Sequence, residues 1–239
     1  MAATAASLFG DRLILGLGVG YLRGEFELVG APPFEARGAV TTEYVRLIRL
    51  LFEAEAPISF DGQWVSLRDA HFGPRPAKAP PLVVGGNGQR ALERAAKFGD
   101  GWHPLFPTPA TYKACRASID GIRAAEGIAR PFIYSYSCAH TRIFAHAGEA
   151  TTAPHGGAWL EGRPKDFDYA PAFPMTDDGR QYFVGTAAEV RADIELFAAM
   201  GVEQLVLRFA LPWDDESFAD QITEQLQRFQ NDVVPYLEC

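Results

Sequence analysis

Three features of this 239-residue chain predict an α/β fold built on parallel strands. Short, continuous apolar segments recur along it, stretches with apolar residues at helical spacing separate them, and Pro- or Gly-rich turns punctuate the exchange. That alternation is the signature of βαβ units, whose crossover helices cover a buried sheet. Handedness then places the helices outside one twisted sheet.

The first strand is RLILGLGV (Arg12–Val19), apolar without alternation and so suited to burial on both faces. An irregular stretch holding Pro32 and Pro33 follows, on which Glu25 and Arg37 would form a structural ion pair or touch a ligand, the structural role being the simpler reading. A helix then begins near Val40, where Val40, Tyr44, Leu47, Ile48 and Leu51 make one apolar face. FGPRPAKAPP leads into a second strand, LVVGG (Leu82–Gly86), and a short helix over Asn87–Phe98. GDGWHPLF (Gly99–Phe106) is a third strand, followed by a helix near Pro109–Glu126; the fourth strand lies within Pro131–Ala145. Thr186-x-x-Glu189 is a capping box that opens a helix ending at Gly201. Glu203–Ala210 is the fifth strand, and a last helix covers about Asp214–Asn231. Ala147–Gly185, dense in Gly, Pro and Asp, reads as an irregular insertion in a single domain spanning 1–239.

Composition removes several function classes. No apolar run approaches the roughly 20 residues of a membrane span, and the N-terminus lacks the basic and apolar regions of a secretory signal. Cys115, Cys138 and Cys239 are far apart, which fits reduced thiols and a cytoplasmic location better than disulfides or zinc. A net charge of −8 argues against nucleic acid as a partner, because phosphate binding needs clustered cations. The five histidines form no metal-binding pair, and no G-x-S-x-G elbow surrounds Ser135 or Ser137. His103 and His140 fall at strand ends, where a structural role is the simpler reading.

Two glycine clusters remain. GLGVGY fails the dinucleotide fingerprint on spacing, and no helix follows it directly. Gly16, Gly18 and Gly20 alternate, so they share one strand face, which admits either tight packing or the close approach of a flat ring. VVGGNG (Val83–Gly88) joins a buried strand to a helix, an arrangement that serves as a plain turn or as an anion site at the helix terminus. Asn87 there would cap the helix or donate to a phosphate oxygen.

Taken in order, the segments AATAASLFGDRLILGLGVGY, EF, PFEARG, FDGQWVSLRDAHFGPRPAKAPPLVVGG, ALERAAKFGDGWHP and VGTAAEVRADIELFAAMGVEQLVL resemble the luciferase-like monooxygenase family, in particular its coenzyme F-420-dependent branch. The resemblance implies a TIM (β/α)₈ barrel of which this chain supplies strands four to eight, with the catalytic residues of the early strands having no counterpart. It also implies a flavin- or deazaflavin-dependent oxidoreductase or monooxygenase using coenzyme F-420 or FMN on a small organic substrate. A homo-oligomer is one expectation for such an open set of strands, and the alternative is a non-catalytic remnant or a phosphate-ligand-binding α/β protein. By resemblance, Gly85, Gly86, Asn87 and Gly88 would hold the cofactor phosphate, Gly18, Gly20 and Tyr21 would line its ring, and Trp102 would lie near the mouth.

Overall fold

The computed structural model describes residues 1–149, 173–209 and 218–237, which fall into two compact units. One comprises Met1–His103 with Cys115–Ile133, and the other Pro104–Ala114 with the chain from Tyr134 onward.

In the first unit, α1 (Ala2–Phe9) leads through a tight turn into β1 (Leu15–Leu17). The strand is shorter than predicted, because Gly10–Arg12 forms a 3₁₀ turn that removes its start. Nor is it buried on both faces. Leu13, Leu15, Leu17 and Val19 are half-buried while Ile14, Gly16, Gly18 and Gly20 are exposed, so its apolar run covers one face only. A short α2 (Arg23–Leu28) precedes α3 (Arg37–Glu53), β4 (Leu82–Gly85), α4 (Gln89–Phe98) and β5 (Gly101–His103). β4 pairs in parallel with β1 and with β5, and α4 packs against both β4 and β5. Leu82, Val84 and Trp102 form the core under the helices, with Val84 and Trp102 wholly buried. Among the described residues the strands do not close a barrel.

An antiparallel hairpin, β2 (Ile58–Asp61) with β3 (Ser66–Ala70), was not foreseen as a separate element. Its tip is fixed by Glu43 of α3, whose carboxylate accepts 2.8 Å hydrogen bonds from the backbone N–H groups of Gln63, Trp64 and Val65. Burial alone would raise the Glu43 pKa, but those donors outweigh it and hold the carboxyl below its usual range.

α5 (Pro109–Ala125) and β6 (Ile133–Ser137) each begin in one unit and end in the other. In the second unit β6 pairs in parallel with β9 (Gln204–Val206), and β7 (Arg142–Phe144) pairs in parallel with β8 (Val184–Thr186). The predicted fourth strand is thus two strands separated by a corner at Cys138–Thr141. Tyr136 stacks within 4.3 Å of Phe197, its hydroxyl donates to the Pro107 carbonyl, and Phe183 completes the aromatic core. The capping box opens α6 (Ala187–Ala199) as expected: Thr186 N–H donates to the Glu189 carboxylate and Glu189 N–H to the Thr186 hydroxyl. Gly201, at φ 81°, follows its end. The last helix, α7 (Phe218–Arg228), runs on into irregular turns through Tyr236. From it the buried Gln225 side chain accepts from Ile143 N–H and donates to Ile143 C=O, on the edge of β7.

The predicted insertion lies largely outside the described residues, which resume at 173. Arg180, buried, makes a two-pronged ion pair with Asp193 of α6 at 2.7 and 2.9 Å, and Phe183 N–H donates to the same carboxylate. Removing one member of such a pair strands a buried charge, so Asp193→Ala is expected to cost about 3–5 kcal/mol, read from urea denaturation.

His140 sits buried at the β6–β7 corner, and burial, followed by the charges of Arg142 and Arg208, pushes its pKa from 6.5 to about 4. The folded imidazole therefore stays neutral in a window where the unfolded chain takes up a proton. Stability is unaffected above about pH 6.5 and falls as pH drops toward 4, by about 3 kcal/mol from this group. His140→Asn should flatten that part of the stability–pH curve, measured by urea midpoints between pH 7 and 4.5.

Candidate functional site

The first unit brings three strand ends together. Leu15, Gly16 and Leu17 of β1 stand opposite Leu82, Val83 and Val84 of β4, while Val83, Val84 and Gly85 stand opposite Gly101, Trp102 and His103 of β5. Residues level with one another across a parallel pair share a face, so Gly16, Gly18, Val83, Gly85, Gly101 and His103 line the side away from α4. A Cβ placed on Gly85 would lie 3.6 Å from both the Leu17 and the His103 carbonyl oxygens and 3.9 Å from Gly18 Cα, which sets Gly18, Gly85 and His103 in one row.

The glycines of this face do different jobs. A Cβ on Gly101 would come 2.8 Å from the Ile133 carbonyl oxygen, so glycine is required there by packing. Around Gly16 and Gly18 no heavy atom of the described residues lies within 4 Å of a Cβ position, and both are exposed. Packing among the described residues does not explain those two, and they leave a flat floor at the strand ends.

Beyond Gly85 the chain turns sharply. Gly86 has φ 119°, a conformation side chains resist, and its carbonyl accepts a 2.8 Å bond from the Trp102 indole N–H. Gly88, at φ −78° and ψ 156°, caps α4, its carbonyl accepting from Ala91 and Leu92 N–H. The helix begins at Gln89, so Asn87 is exposed one residue before the cap and does not supply it. By helix geometry the N–H groups of Gln89 and Arg90 have no carbonyl one turn back, and the cap offers no side-chain acceptor. With no acidic residue in this first turn, the partial positive charge of the helix terminus is left open to an anion. The helix is positioned by Arg94, buried, which donates to Thr42 Oγ1 and to the Gly38 carbonyl of α3.

The predicted site residues therefore divide. Gly18, Gly85, Gly86, Asn87 and Gly88 follow one another along the ends of β1 and β4 into α4. Gly20 and Tyr21 continue from Gly18; Phe26 packs on Gly20, and Tyr21 is 59% exposed. Trp102 is fully buried on the opposite face of β5, and its indole N–H holds the Gly86 peptide. Glu25 and Arg37 do not form the expected pair: Arg37 stacks 3.9 Å from the Phe34 ring and donates to its carbonyl, while Arg23 pairs with Glu35 at 2.6 Å. His103 carries more promise than its sequence context offered. It is half-buried on the floor face, and burial lowers its pKa, so its imidazole is neutral at pH 7. The alternation of Gly101, Trp102 and His103 was the signal for this, once Trp102 was known to face inward.

Parallel strands whose C-terminal ends converge on a glycine turn and a helix N-terminus define an α/β domain. Comparison with known proteins makes this specific: the family model for luciferase-like monooxygenases matches residues 1–204, and the chain belongs to that family. An uncharacterized protein of Mycobacterium tuberculosis (strain ATCC 25618 / H37Rv) is 30% identical over 131 residues, 55% of this chain and 44% of that protein. The F420-dependent glucose-6-phosphate dehydrogenase of Kineococcus radiotolerans is 35% identical over 101 residues, 42% of this chain and 30% of that one. The matches thus span less than half the length of these relatives. Among solved structures, an F420-dependent secondary alcohol dehydrogenase in complex with an F420-acetone adduct superposes with TM-score 0.74 at 19% identity, over 99% of this chain and 73% of that one. The monooxygenase RslO1 from Streptomyces bottropensis gives TM-score 0.73 at 20% identity with the same coverages. These likenesses establish a shared α/β fold with the luciferase-like enzymes.

Trp102→Phe leaves a smaller ring in a fully buried position and deletes the hydrogen bond to Gly86. It is expected to cost about 2–4 kcal/mol in urea denaturation and to loosen the Gly86 turn, seen as faster amide hydrogen exchange across 86–89.

Proposed function

We propose that this chain forms the phosphate end and one wall of a flavin or deazaflavin site in an oxidoreductase, with coenzyme F-420 or FMN as cofactor and a small organic molecule as substrate. The observation that carries this is the in-register row of Gly18 and Gly85 running into the uncapped terminus of α4. The residues fit the group. The open Cβ positions at Gly16 and Gly18 leave room for a planar ring, and the Gln89 and Arg90 N–H groups suit a phosphate. When bound, the cofactor supplies hydride transfer or oxygen chemistry. The chain's own residues would bind and orient it: Gly86, held by Trp102, turns the backbone toward the phosphate, and neutral His103 sits level with Gly85 beside the ring.

The five parallel strands β1, β4, β5, β6 and β9 are read here as strands four to eight of the family's barrel. Supporting that register, 99% of the chain superposes on 73% of its structural neighbours, and α1 precedes β1 as a crossover helix would. On this reading the residues that complete catalysis are not among those described, and the 239-residue chain should show little turnover by itself. A cytoplasmic location and self-association complete the proposal. Cys115 and Cys138 are both free thiols, and among the described residues no helix is long and apolar enough to cross a membrane.

The turn offers a test that spares the fold. Gly86 is a poor target, since its φ of 119° makes any side chain strained. Gly88 has open space around its Cβ and an ordinary extended conformation. Asp is among the best N-cap residues, so Gly88→Asp should keep or raise the melting temperature while setting a negative charge against the phosphate. Titration with FMN and with coenzyme F-420 is expected to show at least about a tenfold loss of affinity, or roughly 1.4 kcal/mol. Unchanged affinity in a well-folded variant would overturn the phosphate assignment.

A further inference from the structure

At the opposite end of the same strands lies a cavity of about 320 Å³, within the range of small-ligand sites. It opens where β4, β5 and β6 begin, away from Gly86. Phe52 of α3, the successive Pro80 and Pro81, and Pro131 give it apolar walls. Its polar lining is ionic. Asp100 accepts from Leu82 N–H with one oxygen, and the other lies 2.8 Å from Arg49 Nη2 and 3.2 Å from Arg130 Nε.

That network has an evident structural purpose. Arg49 also donates to the Phe98 carbonyl and pairs with Glu53, while Arg130 donates to the carbonyls of Lys97 and Gly99, so together they tie α3 and the approach to β6 to the start of β5. The ends of barrel strands opposite the active site commonly serve stability in this way. One cation is left over. Lys78, on the exposed rim, has no ion-pair partner among the described residues, so three cations line the cavity against the two carboxylates of Glu53 and Asp100. Burial, and then the nearby Arg49 charge, lower the Arg130 pKa, as expected where positive charge is in excess. Structural pinning explains neither the unmatched lysine nor an apolar-walled space beside it.

We propose that this cavity binds a small organic anion, one carboxylate or phosphate group on a compact apolar body. The charged group lies between Lys78 and the Arg49–Arg130 pair, and the body rests on Phe52 and Pro81. Such a ligand would bridge α3 to the strand starts, and its occupancy would stabilise this end of the unit by mass action.

The test uses the whole chain and backbone amide NMR, with benzoate and phenyl phosphate as probes, benzyl alcohol as the neutral analogue and inorganic phosphate as the bare anion. Benzoate or phenyl phosphate is expected to move the Leu82 and Asp100 amide signals saturably, with benzyl alcohol and inorganic phosphate much weaker. Lys78→Glu, on an exposed side chain, should raise the half-saturating concentration about fivefold or more, as reversal of one partly screened charge implies, without altering the melting temperature. Ala79→Phe, which narrows the cavity, should abolish the shifts. Gly88→Asp should leave them intact, which separates this site from the glycine turn. Absence of saturable shifts, equal response to benzyl alcohol, or indifference to Lys78→Glu would each overturn the proposal.

Discussion

The register between β1, β4 and β5 decides where every other group in the first unit falls. Parallel strands carry side chains with a period of two, so a slip of one residue would exchange the two faces throughout. As paired, Leu82, Val84 and Trp102 all point under the helices, and Gly16, Gly18 and Gly85 all point the other way. The same register puts Trp102 one residue short of the strand end, from where its indole reaches the carbonyl of Gly86. The turn, the cap at Gly88 and the direction of α4 then follow. Hydrophobic burial of one face and the geometry of the glycine-lined face are therefore a single constraint.

Glycine has a different meaning at each position along these strands. Gly101 is demanded by the neighbouring Ile133 backbone and Gly86 by its backbone angle, so both would be kept in a protein with no ligand at all. Gly16, Gly18 and Gly88 meet no such demand. A strand interior weakened by glycine loses about 0.5–1 kcal/mol per position relative to alanine. Glycines that packing does not require are the more informative ones, because something other than stability must account for that loss.

The sequence showed most of the helices and strands, because their cues are local. The capping box at Thr186 and Glu189 formed as its spacing indicates, and the apolar face from Val40 onward belongs to α3. Strand limits were less legible: Arg12–Val19 contracted to Leu15–Leu17 because Gly10–Arg12 turns and the pairing with β4 spans only Leu82–Val84, which depends on the neighbour as well as on the segment itself. The hairpin β2–β3 escaped notice because it is held by Glu43, a carboxylate from a preceding helix. In the site, the glycine turn was visible from VVGGNG alone. The burial of Trp102 and the placing of His103 were not, since both depend on which face of β5 the helices cover. The Glu25–Arg37 pairing failed for a similar reason: Phe34, brought close by the turn before α3, offers Arg37 a better surface.

Gln225 has a consequence for how the second unit meets other chains. β7 pairs with β8 along one side, and on its other side the N–H and C=O of Ile143 are both taken by the amide of a side chain from α7. A single glutamine thus imitates one rung of an adjoining strand. A strand edge sealed in this manner has no matched donor and acceptor to offer at its centre, so an extended peptide or a misfolded copy finds no template there. Glutamate in its place would set an acceptor against the Ile143 carbonyl and bring a charge into a buried position.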